Sequence, residues 1–386
     1  MKDQRQAKTS QDSAPDPMMV SLLERARRAN PRHTETLHAL NRLTASDEQS
    51  VVLLEKIIEI DPAHSRAWMN LINTQARLGK IDVANQLVRN MLIDVPDMPI
   101  RMSSTLTKSL GDLQLSGEIV FENWQATENS SHGRKVRAAL LADLGALAEA
   151  EYLYRLEAAS TPEGLPESKI FAEILASNVE ARLLTAKSAA ESDSPPRGSG
   201  FALAAAFLTA NRPQEALDTI SRERKDLLSP TPKFRPAFAA LGDPEMYVVA
   251  EALESLGRVE EARQLWTLAL NADYRGFALT WQKPMNNALL LARLGQQQQA
   301  VASFQTAYDQ GFRFLYSMNC DNCVDDGFIR ENGLLSPLVK LPGAAEIVAR
   351  IQAENQQSLE DFNRRFGILN QVRNLMNSEQ PLEQLR

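Results

Sequence analysis

Residues 65–96 read SRAWMNLINTQARLGKIDVANQLVRNMLIDVP, and this stretch decides the fold. Apolar residues recur at spacings of three and four, first as Trp68, Leu71, Ile72 and Leu78, then as Ile81, Ala84, Leu87, Val88, Met91 and Leu92. That period belongs to a helix burying one face. Gly79 interrupts the pattern where the chain must turn, and Pro96 ends it because proline cannot continue a helix. The stretch is therefore predicted to be two helices, A and B, joined by a tight turn. Ala84 is small where two helix axes approach closely.

The same grammar recurs on both sides. Asp61-Pro62 ends a helix carrying Val51, Leu54, Ile57 and Ile58, so Pro62 and Pro96 are the stops of successive units. The turn at Gly79 is followed at nearly even steps by Gly111 and Gly145. The small-then-large pair of helix B returns as Ala150/Tyr154, Ala216/Ile220, Ala262/Trp266 and Ala300/Phe304, with Gly257 and Gly295 as further turns. From Gly145 to the turn at Asn211 the step is doubled, which leaves room for one diverged unit, read as a long helix from Glu167 to Ala190.

These residues resemble the tetratricopeptide repeat (TPR) family, with its 34-residue period and its W-x₂-L-G-x₂-Y…A-x₃-F…P pattern. The likeness covers roughly Pro31 to Phe312. Around Trp68 it keeps the aromatic residue, turn glycine, alanine and proline, but has Ile72 and Gln75 where the family has glycine and tyrosine. The resemblance implies an all-α fold, an α-solenoid of about seven helix-turn-helix repeats whose A helices line an inner face and bind protein partners. A solenoid needs a terminal element with a polar outer face, and a helix from about Ala344 to Met376 is predicted to be that capping helix. Leu335-Ser-Pro-Leu338 ahead of it is similar to an element in TPR regions attached to bacterial cyclases and winged-helix regulators.

The expected organisation is a disordered tail over 1–17, an N-terminal TPR-like solenoid over 18–191, a linker over 192–200, C-terminal repeats over 201–312, and an irregular segment with the capping helix over 313–386.

Composition narrows the function. The net charge of −7 and a pI near 5.4 argue against a direct nucleic-acid binder. Two cysteines cannot form a disulfide framework, and no run of 18 apolar residues is present. No signal-peptide stretch opens the sequence, so the expected address is the cytoplasm. His33, His38, His64 and His132 form no metal-binding spacing, and neither a phosphate loop nor a G-x-S-x-G elbow occurs. No cofactor, no metal and no catalytic residue is expected; the chain reads as a non-enzymatic scaffold. Cys320-Asp-Asn-Cys323 is the one motif with redox potential, and its competing reading is a plain loop pair.

On the A helices, residues turned away from helix B include Arg32, Glu35 and Arg42, then Arg66, Met69, Asn73 and Arg77, then Arg101, Thr105 and Lys108. This basic track in an acidic protein suits an acidic peptide, because a guanidinium donates two parallel hydrogen bonds to a carboxylate. It is similar to the carboxylate-clamp grooves of some TPR proteins, a likeness carried to Asn73, Arg77, Arg101 and Lys108, and with Arg66 these residues make the candidate peptide-binding groove. The competing reading is a solvated helix surface. The later repeats offer Tyr247, Glu251, Glu254, Met285, Leu289 and Arg293, a neutral-to-acidic groove, while Trp266, Trp281 and Phe304 read as core. The alternative function is a regulatory or sensory module working with a cyclase or transcriptional regulator.

Overall fold

The structure, a computed structural model, describes residues 16–44, 46–95, 110–122, 131–160, 166–193, 195, 198–229, 231–232, 244–272, 281–315 and 336–378. Among these residues it contains helices and turns and no strand. The chain divides into two compact units, Met1–Met98 and Pro99–Arg386. The fold is an all-α solenoid, and within each unit consecutive helices pack against one another.

The first unit holds α1 (Pro17–Ala29), α2 (Thr34–Leu43), α3 (Asp47–Ile60), α4 (Ser65–Arg77) and α5 (Ile81–Asp94). Asp16 caps α1 by accepting the Met18 N–H at 2.9 Å, and Pro17 occupies the first helical turn, where its missing N–H costs nothing. Leu37, Leu54, Ile57, Ala67 and Leu71 form the core. Trp68 adds a clamp: its indole N–H donates to the Pro62 carbonyl at 2.8 Å, tying the α3–α4 loop to the core. Of the tail expected over 1–17, only Asp16 and Pro17 lie among the described residues.

The second unit holds α6 (Leu113–Glu122), α7 (Ser131–Asp143), α8 (Leu147–Ser160), α9 (Pro166–Leu175), α10 (Val179–Ala190), α11 (Ser199–Thr209), α12 (Pro213–Glu223), α13 (Pro244–Ser255), α14 (Val259–Leu270), α15 (Gln282–Arg293), α16 (Gln297–Asp309), α17 (Ser336–Val339), α18 (Pro342–Phe366) and α19 (Ile368–Ser378). Residues 167–190 are not the single helix expected. Ser177 takes φ +58° and splits them into α9 and α10. Asn211 does the same at φ +56° between α11 and α12. With Ser177 included, the left-handed residues at the turns within helix pairs fall at 79, 111, 145, 177, 211, 257 and 295, so no unit is skipped between Gly145 and Asn211.

The turns at 79, 145, 177, 211, 257 and 295 share one bond. The N–H following the left-handed residue reaches back to a carbonyl in the preceding helix: Lys80 to Gln75 at 3.0 Å, Asn178 to Glu173 at 2.9 Å, Arg212 to Phe207 at 2.8 Å and Gln296 to Leu291 at 2.8 Å. This is the Schellman closure, which satisfies helix carbonyls that would otherwise lack a partner. Asn178 then caps α10 by accepting the Ala181 N–H at 3.1 Å. At one fixed position past each turn stand Ala84, Ser116, Ala150, Arg182, Ala216, Ala262 and Ala300, every one at most 2% exposed. Arg182 departs from the small-residue rule; its guanidinium donates to Thr209 Oγ1 at 2.9 Å.

Helices on either side of residues 192–200 share one core, built from Leu183 and Ala186 with Ala202, Leu203 and Ala206.

The C-terminal helix does more than end the stack. Gly367, at φ +64°, divides the expected single helix into α18 and α19. One end of α18 lies on α16, where Gly343 faces Val301 so closely that a Cβ would come within 2.8 Å of its Cγ1. The other end lies on α6, where the Phe362 ring fills the space beside Gly117 and lies tilted at 5.2 Å from the Phe121 ring. Midway, Asn355 Nδ2 donates to the Asp143 carbonyl at 2.8 Å and the Arg313 carbonyl at 3.0 Å. Gly111 and Gly311 meet backbone to backbone; a Cβ on Gly111 would overlap the Gly311 carbonyl. Arg365–Glu118 at 2.8 Å and Arg373–Glu149 at 2.7 Å complete the closure of this unit on itself.

Candidate functional site

The track predicted on the A helices begins in the first unit. Arg66, Asn73 and Arg77 are spaced by seven and then four along α4, which places them on one face of a 3.6-residue helix. Arg66 is exposed in the first turn and Asn73 is half-buried. Arg77 is exposed but engaged. Its Nη2 donates to Asp47 Oδ1 at 2.7 Å and to Thr74 Oγ1 at 3.0 Å, and its Nε reaches both Asp47 oxygens at 3.2 Å. The planar fork is thereby spent within the fold, joining α4 to the start of α3. Arg101, Thr105 and Lys108 lie outside the described residues, as do Cys320 and Cys323.

The expected groove of the later repeats is not a groove. Tyr247, Met285 and Leu289 are buried, and Arg293 is held between Glu251 and Glu254, the latter at 3.4 Å, with its guanidinium 5.6 Å above the Trp266 ring. The Tyr247 hydroxyl donates to Asn286 Oδ1. Burial pushes the Glu254 carboxyl above the usual carboxylate range, while the nearby Trp266 indole acts in the opposite direction. These A-helix positions face the adjoining helices, α13 against α15 across α14. Trp266, Trp281 and Phe304 are core, as their spacing predicts.

Among the described residues, no group of three or more His, Cys, Asp or Glu side chains is arranged to hold a metal ion, and no helix is long and apolar enough to cross a membrane.

No family model matches the sequence, and a search of curated proteins finds no match. Among solved structures, the chain is similar to a chain of the Naa15/Naa10 complex bound to HypK-THB, with 12% identity and a TM-score of 0.30. The match covers 94% of this chain and 61% of that one, so this chain spans about three fifths of that neighbour's length. The helical-repeat architecture rests on the helix pairs and turns described above.

Sequence reasoning missed the histidines. His33 and His64 stand before α2 and α4, and each ring accepts a backbone N–H through Nδ1: His33 from Thr36 at 3.3 Å, His64 from Ala67 at 3.2 Å. They fill the role usually taken by Ser, Thr, Asp or Asn. A signal was present, because Asn30-Pro-Arg-His-Thr34 and Asp61-Pro-Ala-His-Ser65 are the same segment repeated. His38 sits one turn inside α2, 5% exposed, with its ring 5.8 Å from that of His64. Burial, then the charges of His64, Arg66 and Arg42, hold His38 below the ordinary imidazole range, and Glu35 opposes them.

Proposed function

We propose that this chain is a non-catalytic, cytoplasmic helical-repeat scaffold that binds an acidic segment of a protein partner along the α2–α4 face of its first unit. The observation that carries this reading is a contrast at equal register. Counted back from the turn at Gly79, the positions Arg66, Met69, Asn73 and Arg77 correspond one for one to Gln282, Met285, Leu289 and Arg293 counted back from Gly295. In α15 three of the four are buried, whereas in α4 Arg66 and Arg77 are exposed and none of the four is buried. Arg66 and Arg42 make no ion pair among the described residues, so their donors are available to a ligand. Arg101 and Lys108 follow in sequence, outside the described residues.

Affinity purification of the tagged chain from its native cells, followed by mass spectrometry, tests the reading. The captured partner should carry an acidic segment, and Arg66→Glu combined with Arg101→Glu should abolish capture while the far-ultraviolet helical signal persists. Capture indifferent to this double reversal would place binding elsewhere. The alternative, a regulatory module beside a cyclase or transcriptional regulator, draws on the short helix α17 ahead of α18; an adjoining catalytic or DNA-binding segment in the gene or its neighbours would favour it.

A further inference from the structure

Three observations converge between α2 and α4. The His38 Nδ1 is buried and makes no hydrogen bond. Its neighbour His64 is committed, since the Nδ1 of that ring accepts the Ala67 N–H. Arg42, one helical turn beyond His38, and Arg66, just beyond His64, are both exposed, and the Glu35 charge acts on His38 in the opposite sense to theirs. Buried polar atoms in folded proteins are almost always bonded, so the unbonded His38 Nδ1 marks a polar place short of a partner, within the field of two guanidiniums that make no ion pair. Guanidiniums select carboxylates through two parallel donors.

We propose that Arg42, Arg66 and His38 form a carboxylate site between α2 and α4, and that an acidic side chain bound there brings a proton onto His38. This rests on the reading that the first unit binds an acidic peptide, and it supplies the contact point and the control of that binding. The proton comes from solvent; the neutral imidazole becomes imidazolium, the ligand stays a carboxylate, and no covalent bond breaks. The incoming negative charge offsets the arginine charges that otherwise disfavour the imidazolium. By linkage, a ligand that tightens proton binding is itself bound more tightly where protons are more available. The ligand's own carboxylate titrates near pH ~4.3, well below the window.

The test uses the full chain and an amidated hexaglutamate peptide. Calorimetry at pH 8 and pH 6, in buffers of different ionisation heat, reads affinity and proton uptake together. Circular dichroism at both pH values confirms that the helices persist. Affinity should rise about three- to tenfold on going to pH 6, the upper figure being one pKa unit of coupling, with net proton uptake. The exposed-site variants Arg42→Gln and Arg66→Gln should lose both effects, and the His38 ring Hε1 signal should titrate at higher pH with peptide than without it. Equal affinity at the two pH values with no proton uptake overturns the site while leaving the acidic-peptide scaffold standing. Binding that survives Arg42→Gln and Arg66→Gln but is lost in Arg101→Glu does the same. No binding of the peptide at either pH overturns both.

Discussion

Helices α4 and α15 occupy the same place in two repeats, and they have opposite fates. Each carries an arginine just before its turn. Arg77 bridges to Asp47 with its side chain 35% exposed, whereas Arg293 lies between two glutamates at 16%. Asn73 is half-buried where Leu289 is sealed. Register in the repeat therefore fixes which way a side chain points, and the neighbouring helix fixes whether it meets solvent. Tyr247 and Glu251 on α13 cover the α15 face; the α4 face keeps Arg66 exposed.

The largest test of this contrast lies in the closure of the second unit. Phe362→Ala removes the ring beside Gly117 and should cost about 3–5 kcal/mol. Hydrogen exchange read by segment should show faster exchange in α6, α16 and α18 and no change in α3 and α4. Equal loss in both units would mean that the closure does not set the second unit's stability apart.

Next in size is an overpacking pair. Ala84→Leu and Ala300→Leu place the same bulk at the same register in the two units, each at a fully buried site. Each should lose about 1–3 kcal/mol in urea denaturation. A marked inequality would show that the helix crossing differs between the units despite the shared turn.

A smaller effect separates the units by pH. His38 has its folded pKa below the unfolded value, so between the two the unfolded chain binds more protons. Its contribution is complete above the unfolded value, near pH ~6.5, and is lost as pH falls through the folded one. Thermal melting from pH 8 to 5 should destabilise the first unit selectively, and His38→Gln should flatten that limb. The smallest expected change is a gain: Ser177→Gly relieves a left-handed serine and should stabilise by about 0.5–1 kcal/mol, visible as a raised urea midpoint.

Much of the fold was legible because helix period, turn glycine and crossing alanine act locally. Gly79, Gly145, Gly257 and Gly295 announced their turns through the residue type that tolerates positive φ. Ser177 did not, since its left-handed backbone is imposed by the helices it joins, and with Arg182 in place of alanine that repeat lost both markers. The α4 face was legible as a basic surface, but the loss of Arg77 to Asp47 was not, because that bond joins the far ends of two consecutive helices, 30 positions apart. The burial of Met285 and Leu289 depended likewise on a neighbour that periodicity alone does not identify. Buried His38 carried no spacing signature at all.

The bond from Asn355 to the Asp143 carbonyl also has a meaning in time. The two residues are 212 positions apart, so on a ribosome adding ~5–20 residues per second the acceptor waits about 10–40 s for its donor. Until then α6 and α7 of the second unit must persist with the α18 seat empty, while in the first unit α1 to α5 pack each on the next in sequence and can finish early. A chain of stacked pairs would ordinarily mature one pair at a time; here the second unit's opening helices are among the last to be completed.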